Sequence, residues 1–369
     1  MKIGATLALV SCTLAGCVRP APSPPATRPA AQPAQDEKPF EFVRQKMGGP
    51  FKLLLYAKDQ ATADRGAEAG FARVDRLNSI LSDYDPESEI SRLSRRTLDG
   101  PMPEPVVVST DLWRVLERSV ALARQSDGAF DVTIGPLVRL WRRSRDLKEL
   151  PTPQRIEQTR QSVGYEFIRL DPEKRTVQLL APRMRLDVGG LAIGYVTDQV
   201  RDAVAAAGSP RVLVDGGGEV SVGDPPPGRR AWRVAIQSLK NPDEVIGEFV
   251  EVRNACVTTS GDTRRFVEIA GTRYSHIIDP KTGLGLTRRI GATVICPDGM
   301  TADALDTAVC VLGPQKGIEL IEQTPGAAGR ITTIEGDAVH VYESKHFRDF
   351  VAAQDQAPGA APKRDAGGP

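Results

Sequence analysis

Apolar residues recur at helical spacing along three stretches of the chain. Ala67, Phe71, Val74, Leu77 and Leu81 predict an amphipathic helix over 61–82. Leu112, Val115, Leu116, Val120 and Leu122 predict a second over 110–126, and a third runs from about Gly190 to a C-terminal stop at Gly208. "DYDPESEISRLS" reads as a turn followed by a short helix. Strand-like patterns occupy 51–56, 211–215, 232–237, 248–259, 264–270 and 290–296, and a hairpin is expected around Glu335, Gly336 and Asp337. Helices and strands mix without regular βαβ alternation, so the predicted class is α+β. No internal repeat is present.

One helical segment breaks the apolar rule. In "TADALDTAVCVLG" (301–313), Leu305, Val309 and Leu312 form a core stripe behind a Thr301 N-cap, while Asp303, Asp306 and Thr307 fall at spacings of three and four. The offsets place three hard oxygen donors on one face. On this helix alone a solvated polar face and a cation site are both open.

Five loops are unusually rich in Gly and small polar residues: 127–141, 186–195, 214–224, 258–266 and 275–283. They offer close backbone approach and free N–H groups, as a pyrophosphate requires, although each alone reads equally as a turn. "VDGGGEV" is not a dinucleotide fingerprint, and there is no P-loop. Asp187, at a strand end before a helix, suits either a helix cap or a nucleotide contact. Of the three histidines, His340 lies in a predicted strand and His346 in a charged terminal segment. His276 sits in a polar turn.

The ends of the 369-residue chain differ from its middle. Lys2 and the apolar run Ile3–Leu14 lead into "LAGC", which resembles a bacterial lipobox with Cys17 as the lipidated residue. The expected organisation is a lipoprotein signal peptide (1–17), a disordered Pro/Ala-rich tether (18–38), a folded domain (39–352) and a disordered tail (353–369). Such a protein would be exported and anchored in a membrane, facing the periplasm. With 48 Lys and Arg against 47 Asp and Glu, nothing in the charge suggests nucleic acid. Cys256, Cys296 and Cys310 have no CxxC spacing and are expected to be buried thiols.

Taken together, "FDVTIGPLVRLW", "SGD" followed by Arg, "SHIIDPKTG" and "ADALDTA" resemble the ApbE family, the FAD:protein FMN transferases. The resemblance covers about Met47 to the final hairpin. It implies a T-fold-related mixed sheet with packed helices and an FAD cleft between two intimate subdomains. It also implies transfer of FMN from FAD to a threonine of an acceptor protein through a phosphoester, with release of AMP. FAD is then a substrate, Mg²⁺ (or Mn²⁺) the cofactor, and the partners are redox or respiratory membrane proteins bearing a flavinylation threonine motif. Carried over by position, Met47, Tyr84, Ala129, Phe130, Asp131, Asp187, Ile193 and Ile277 fall at flavin-nucleotide positions. Gly190, Asp303, Asp306 and Thr307 fall at metal positions, and His276 and Asp306 at catalytic ones. Ile193 stands where the family usually has Lys or Glu, and Thr263 replaces an aromatic. A metal-dependent FAD pyrophosphatase would use the same ligands, and a non-catalytic FAD-binding lipoprotein is a third reading.

Overall fold

The computed structural model describes residues 36–241, 245–262 and 265–352. The signal segment with Cys17, the tether up to residue 35, the tail from 353 and Thr263 lie outside the described residues.

An eight-stranded antiparallel sheet organises the domain. Its spatial order is Lys38–Lys46, Gly49–Ala57, Val212–Asp215, Glu219–Val222, Ala255–Gly261, Arg289–Cys296, Ala328–Glu335 and Ala338–Glu343. The strand pleat sends alternate side chains to opposite faces. Leu53 and Leu55 join the main core beneath the helices, whereas Leu54 and Tyr56 join a second cluster on the other face. Against the first face pack the helices Gln60–Leu81, Ala192–Ala206, Gly299–Leu312 and Pro314–Glu322. Against the second lies a ribbon of Trp232–Gln237 and Val245–Val252, closed by Trp232, Ile236, Val250 and Phe347. The α+β expectation holds.

The helices Gln60–Leu81 and Thr110–Gln125 lie within two residues of their predicted limits. Asp59 and Ser109 cap them by accepting from Thr62 and Leu112 amides. Four features differ from expectation. The segment 248–259 is two strands, broken at Asn254, whose φ of 46° ends one and turns the chain into the next. The loop expected over 127–141 becomes the helix Gly135–Leu147 from its midpoint. The helix carrying Asp303 starts at Gly299, because Asp298 rather than Thr301 caps it, its carboxylate accepting from the Thr301 amide at 2.9 Å. The edge strand Lys38–Lys46 and the helix Pro153–Arg160 carry no strong periodic signal, and the short helix Pro314–Glu322 was not expected.

A third apolar cluster fixes the hairpin of Phe266–Ile269 and Thr272–Ser275. Leu137 and Trp141 of the helix Gly135–Leu147 pack on Val267, Ile269 and Tyr274, with Trp141 edge-on to Tyr274 at 5.4 Å between centroids. His276 follows this hairpin directly.

Candidate active site

Asp303 and Asp306 are almost completely buried, at 2% and 0% exposure, and both lie on the face of Gly299–Leu312 turned toward the sheet. Asp303 Oδ2 accepts from the Gly194 amide at 2.9 Å. The Thr307 hydroxyl lies 3.3 Å from Asp306 Oδ1. Thr258 and Ser260, on the neighbouring strand, turn hydroxyls toward Asp306 and favour its charged form. Among the described residues, Asp306 Oδ2 nevertheless has no hydrogen-bond partner, and neither has Thr258 Oγ1. Burial, and then the charge of Glu219, push both aspartates well above the usual carboxylate range. Among the described residues no three His, Cys, Asp or Glu side chains converge to hold an ion, so a cation here would be shared by these two carboxylates, a hydroxyl and the main chain. Two unpaired buried acids with an orphaned oxygen match the donor chemistry of a hard divalent ion.

Gly190 borders this group. A Cβ built on it would lie 3.2 Å from Thr307 Oγ1 and 3.4 Å from the Phe130 ring, so the bare backbone at 190 leaves room for both. Phe130 and Ala129 are buried beside it. Asp131 is also buried, in the same loop. Its carboxylate accepts from the Thr133 amide and hydroxyl at 2.8 and 2.7 Å and from the Tyr165 amide at 2.9 Å. Those oxygens are committed to the loop.

Ile193 sits over the glycine loop: a Cβ on Gly216 would come within 2.5 Å of its Cγ2. Its apolar side chain packs against that loop.

Asp187 and Tyr84 are linked through a residue that sequence reasoning passed over. The Arg142 guanidinium lies 4.3 Å above the Tyr84 ring, 3.3 Å from Asp83 and 3.8 Å from Asp187. Asp187 Oδ1 accepts from the Gly189 amide at 2.9 Å, and burial with nearby Asp83 raises its pKa. Tyr84 itself is 76% exposed, a free ring face at the surface. Met47 forms the turn of the first hairpin with φ of 50° and packs its side chain on the main core. Ile277 is buried in that core.

His276 is tied to Arg265 twice. The Arg265 carbonyl accepts from the His276 amide at 3.0 Å and faces Nδ1 at 3.1 Å. A carbonyl only accepts, so Nδ1 carries the proton and Nε2 presents its lone pair. His276 is exposed at the surface; partial desolvation of the ring, and then the Arg265 guanidinium, lower its pKa from the ordinary 6.5. Glu219 lies within electrostatic reach of Asp303, Asp306 and Arg265, and burial followed by the Asp215 charge pushes it up to about 7. Glu219 and Arg265, like Arg142, were missed from sequence. Their only signal was membership of the loops 214–224 and 258–266.

A separate cavity of about 850 Å³, lined by Tyr56, Trp232, Phe249 and Arg348 among others, opens on the ribbon side and includes none of these residues.

The family model that matches this chain is that of the ApbE family, over residues 47–331. An FAD:protein FMN transferase from Haemophilus influenzae is 31% identical over 297 residues, which is 78% of this chain and 85% of the relative. One from Vibrio cholerae is 31% identical over 326 residues, covering 86% and 95%. Among solved structures, the apo flavinyl transferase ApbE of Pseudomonas stutzeri superposes with a TM-score of 0.74 at 28% identity, over 85% of this chain and 97% of that one. An ApbE protein from Thermotoga maritima gives 0.75 at 26%, over 85% and 99%.

Proposed function

The chain belongs to the ApbE family and is a flavin transferase, and from that premise we propose that it moves FMN from FAD onto a threonine hydroxyl of an acceptor protein, with Mg²⁺ held at Asp303, Asp306 and Thr307. The observation that supports this most is the orphaned Oδ2 of Asp306 beside a second buried carboxylate. Two such acids are costly to ionise without a cation. When bound, Mg²⁺ supplies neutralisation of phosphate charge.

The remaining work falls to side chains and backbone. His276 accepts the threonine proton at Nε2, and its depressed pKa keeps that nitrogen free at neutral pH. The threonine oxygen bonds to the FMN-side phosphorus, the pyrophosphate P–O bond breaks, and AMP leaves with the electron pair. Gly190 and the loop 214–224 give the nucleotide close backbone approach, while Tyr84 offers a ring face supported by Arg142. Little covalent chemistry is asked of the protein, so positioning and charge carry the rate.

Incubation with FAD, Mg²⁺ and a domain bearing a flavinylation threonine motif should add one FMN to that domain and release AMP in equal amount. Free FMN and AMP with an unmodified acceptor would identify a pyrophosphatase instead. We further propose that Cys17 anchors the protein to a membrane on its periplasmic side, on the strength of "LAGC" behind an apolar run. Cys17→Ser should then leave the membrane fraction or retain its signal segment; unchanged fractionation and mass would contradict it.

A further inference from the structure

The helix Gly299–Leu312 carries both buried acids and Thr307, so its seat decides where they point. Its first residue is pressed against the helix Ala192–Ala206. A Cβ built on Gly194 would come within 2.1 Å of the Gly299 carbonyl oxygen, and one on Gly299 within 2.1 Å of the Gly194 carbonyl oxygen. Only two glycines allow that crossing, and it is what lets the Gly194 amide reach Asp303 Oδ2. One turn along from Gly194, Asp198 is buried and accepts from the Gly299 amide through Oδ2 at 2.6 Å. That amide is one of those at a helix start with no partner inside the helix. Asp198 Oδ1 accepts from Arg201 at 2.8 Å and from the Ser221 hydroxyl, which binds it to the sheet.

We propose that Asp198 is a positioning residue for the cation face: by holding the Gly299 amide it fixes the crossing at Gly194 and so the direction of Asp303, without touching substrate or ion. The chain of contacts runs from Ser221 in the sheet, through Asp198, to the first amide of the helix, and back through Gly194 to the Asp303 carboxylate. Both Asp198 oxygens are engaged by protein, Oδ2 by the Gly299 amide and Oδ1 by Arg201 and Ser221. This rests on the reading of Asp303, Asp306 and Thr307 as a divalent-cation site.

Binding of Mn²⁺ alone, followed by electron paramagnetic resonance of the free ion, tests it in the full folded chain without FAD. Asp198→Ala should weaken Mn²⁺ binding by at least about tenfold, the lower end of what loss of an outer support costs a metal site. Asp198→Asn keeps an oxygen for the Gly299 amide and should lose less; it also carries the test if the alanine variant does not fold. Val204→Ala, on the same helix but packed toward Gly66 and Gly70, should lower stability and leave Mn²⁺ affinity unchanged. Hydrogen exchange of the 299–306 segment should quicken in Asp198→Ala and not in Val204→Ala. Wild-type protein that fails to bind Mn²⁺ overturns the cation reading and this inference with it. Wild-type binding matched by both Asp198 variants overturns the inference alone. So does an equal loss of affinity in Val204→Ala, since the effect would then follow general stability.

Discussion

His276 keeps its proton on Nδ1 because the Arg265 carbonyl faces that nitrogen, and this leaves Nε2 to accept. Its pKa lies below 6.5, so the neutral ring persists to lower pH than a free imidazole would. The acid limb of kcat/KM for flavin transfer should therefore fall below 6.5, with activity lost as pH drops through the His276 pKa. Arg265→Gln leaves the carbonyl in place but removes a cation that disfavours protonation. Asp262, whose charge acts on the ring in the opposite sense, favours it and remains. The limb should then move upward, and a pH–rate profile identical to wild type would show that His276 is not the titrating base. At this scale the spacing of Asp303, Asp306 and Thr307 was legible because a helix converts offsets of three and four into one face. Glu219, Arg265 and Asp198 were not, since each reaches the site across strands or helices remote in sequence. Nor was it legible that the Asp131 carboxylate is taken up by Thr133 and Tyr165.

The helix Gly135–Leu147 shows how an element stays hidden. Its buried residues are only Gly135, Leu137, Trp141 and Ser144, a narrow stripe followed by a run of charges, and no side chain caps its start. It matters because Trp141 and Leu137 seat the hairpin that leads into His276. Gly285 lies against the same indole, with no room for a Cβ, which would fall 2.9 Å from a Trp141 ring carbon. Trp141→Ala should cost roughly 3–5 kcal/mol in urea unfolding, the usual range for deleting a buried aromatic. In folded protein it should also depress transfer more than FAD binding, because it loosens the hairpin beside the base and leaves Tyr84 and Asp187 in place. Equal losses in both would place the hairpin outside the catalytic step. Strongly amphipathic helices such as Thr110–Gln125 were readable to within a residue, whereas the edge strand Lys38–Lys46 was not, its mostly exposed pattern giving no alternation to follow.

In the whole molecule, one antiparallel sheet carries helices on one face and a ribbon on the other, and the buried acids lie where helix meets sheet. A site built this way trades stability for function. Asp306→Asn removes an ionisable group with an orphaned oxygen, so the metal-free variant should melt a few degrees above metal-free wild type, corresponding to about 1–3 kcal/mol. Added Mg²⁺ should raise the melting temperature of wild type and hardly move the variant; a metal-free variant less stable than wild type would mean that Asp306 is held by protein contacts alone. The same substitution gives the most direct test of the function. Intact-mass measurement of a threonine-motif acceptor, incubated with FAD and limiting Mg²⁺, should show FMN added by wild type. With Asp306→Asn the rate should be at least about 10²-fold lower, the scale of losing one electrostatic contact to a transition state, and extra Mg²⁺ or Mn²⁺ should restore part of it. Acceptor flavinylated at the wild-type rate by Asp306→Asn would contradict the account, and the helix would then present only a buried polar face.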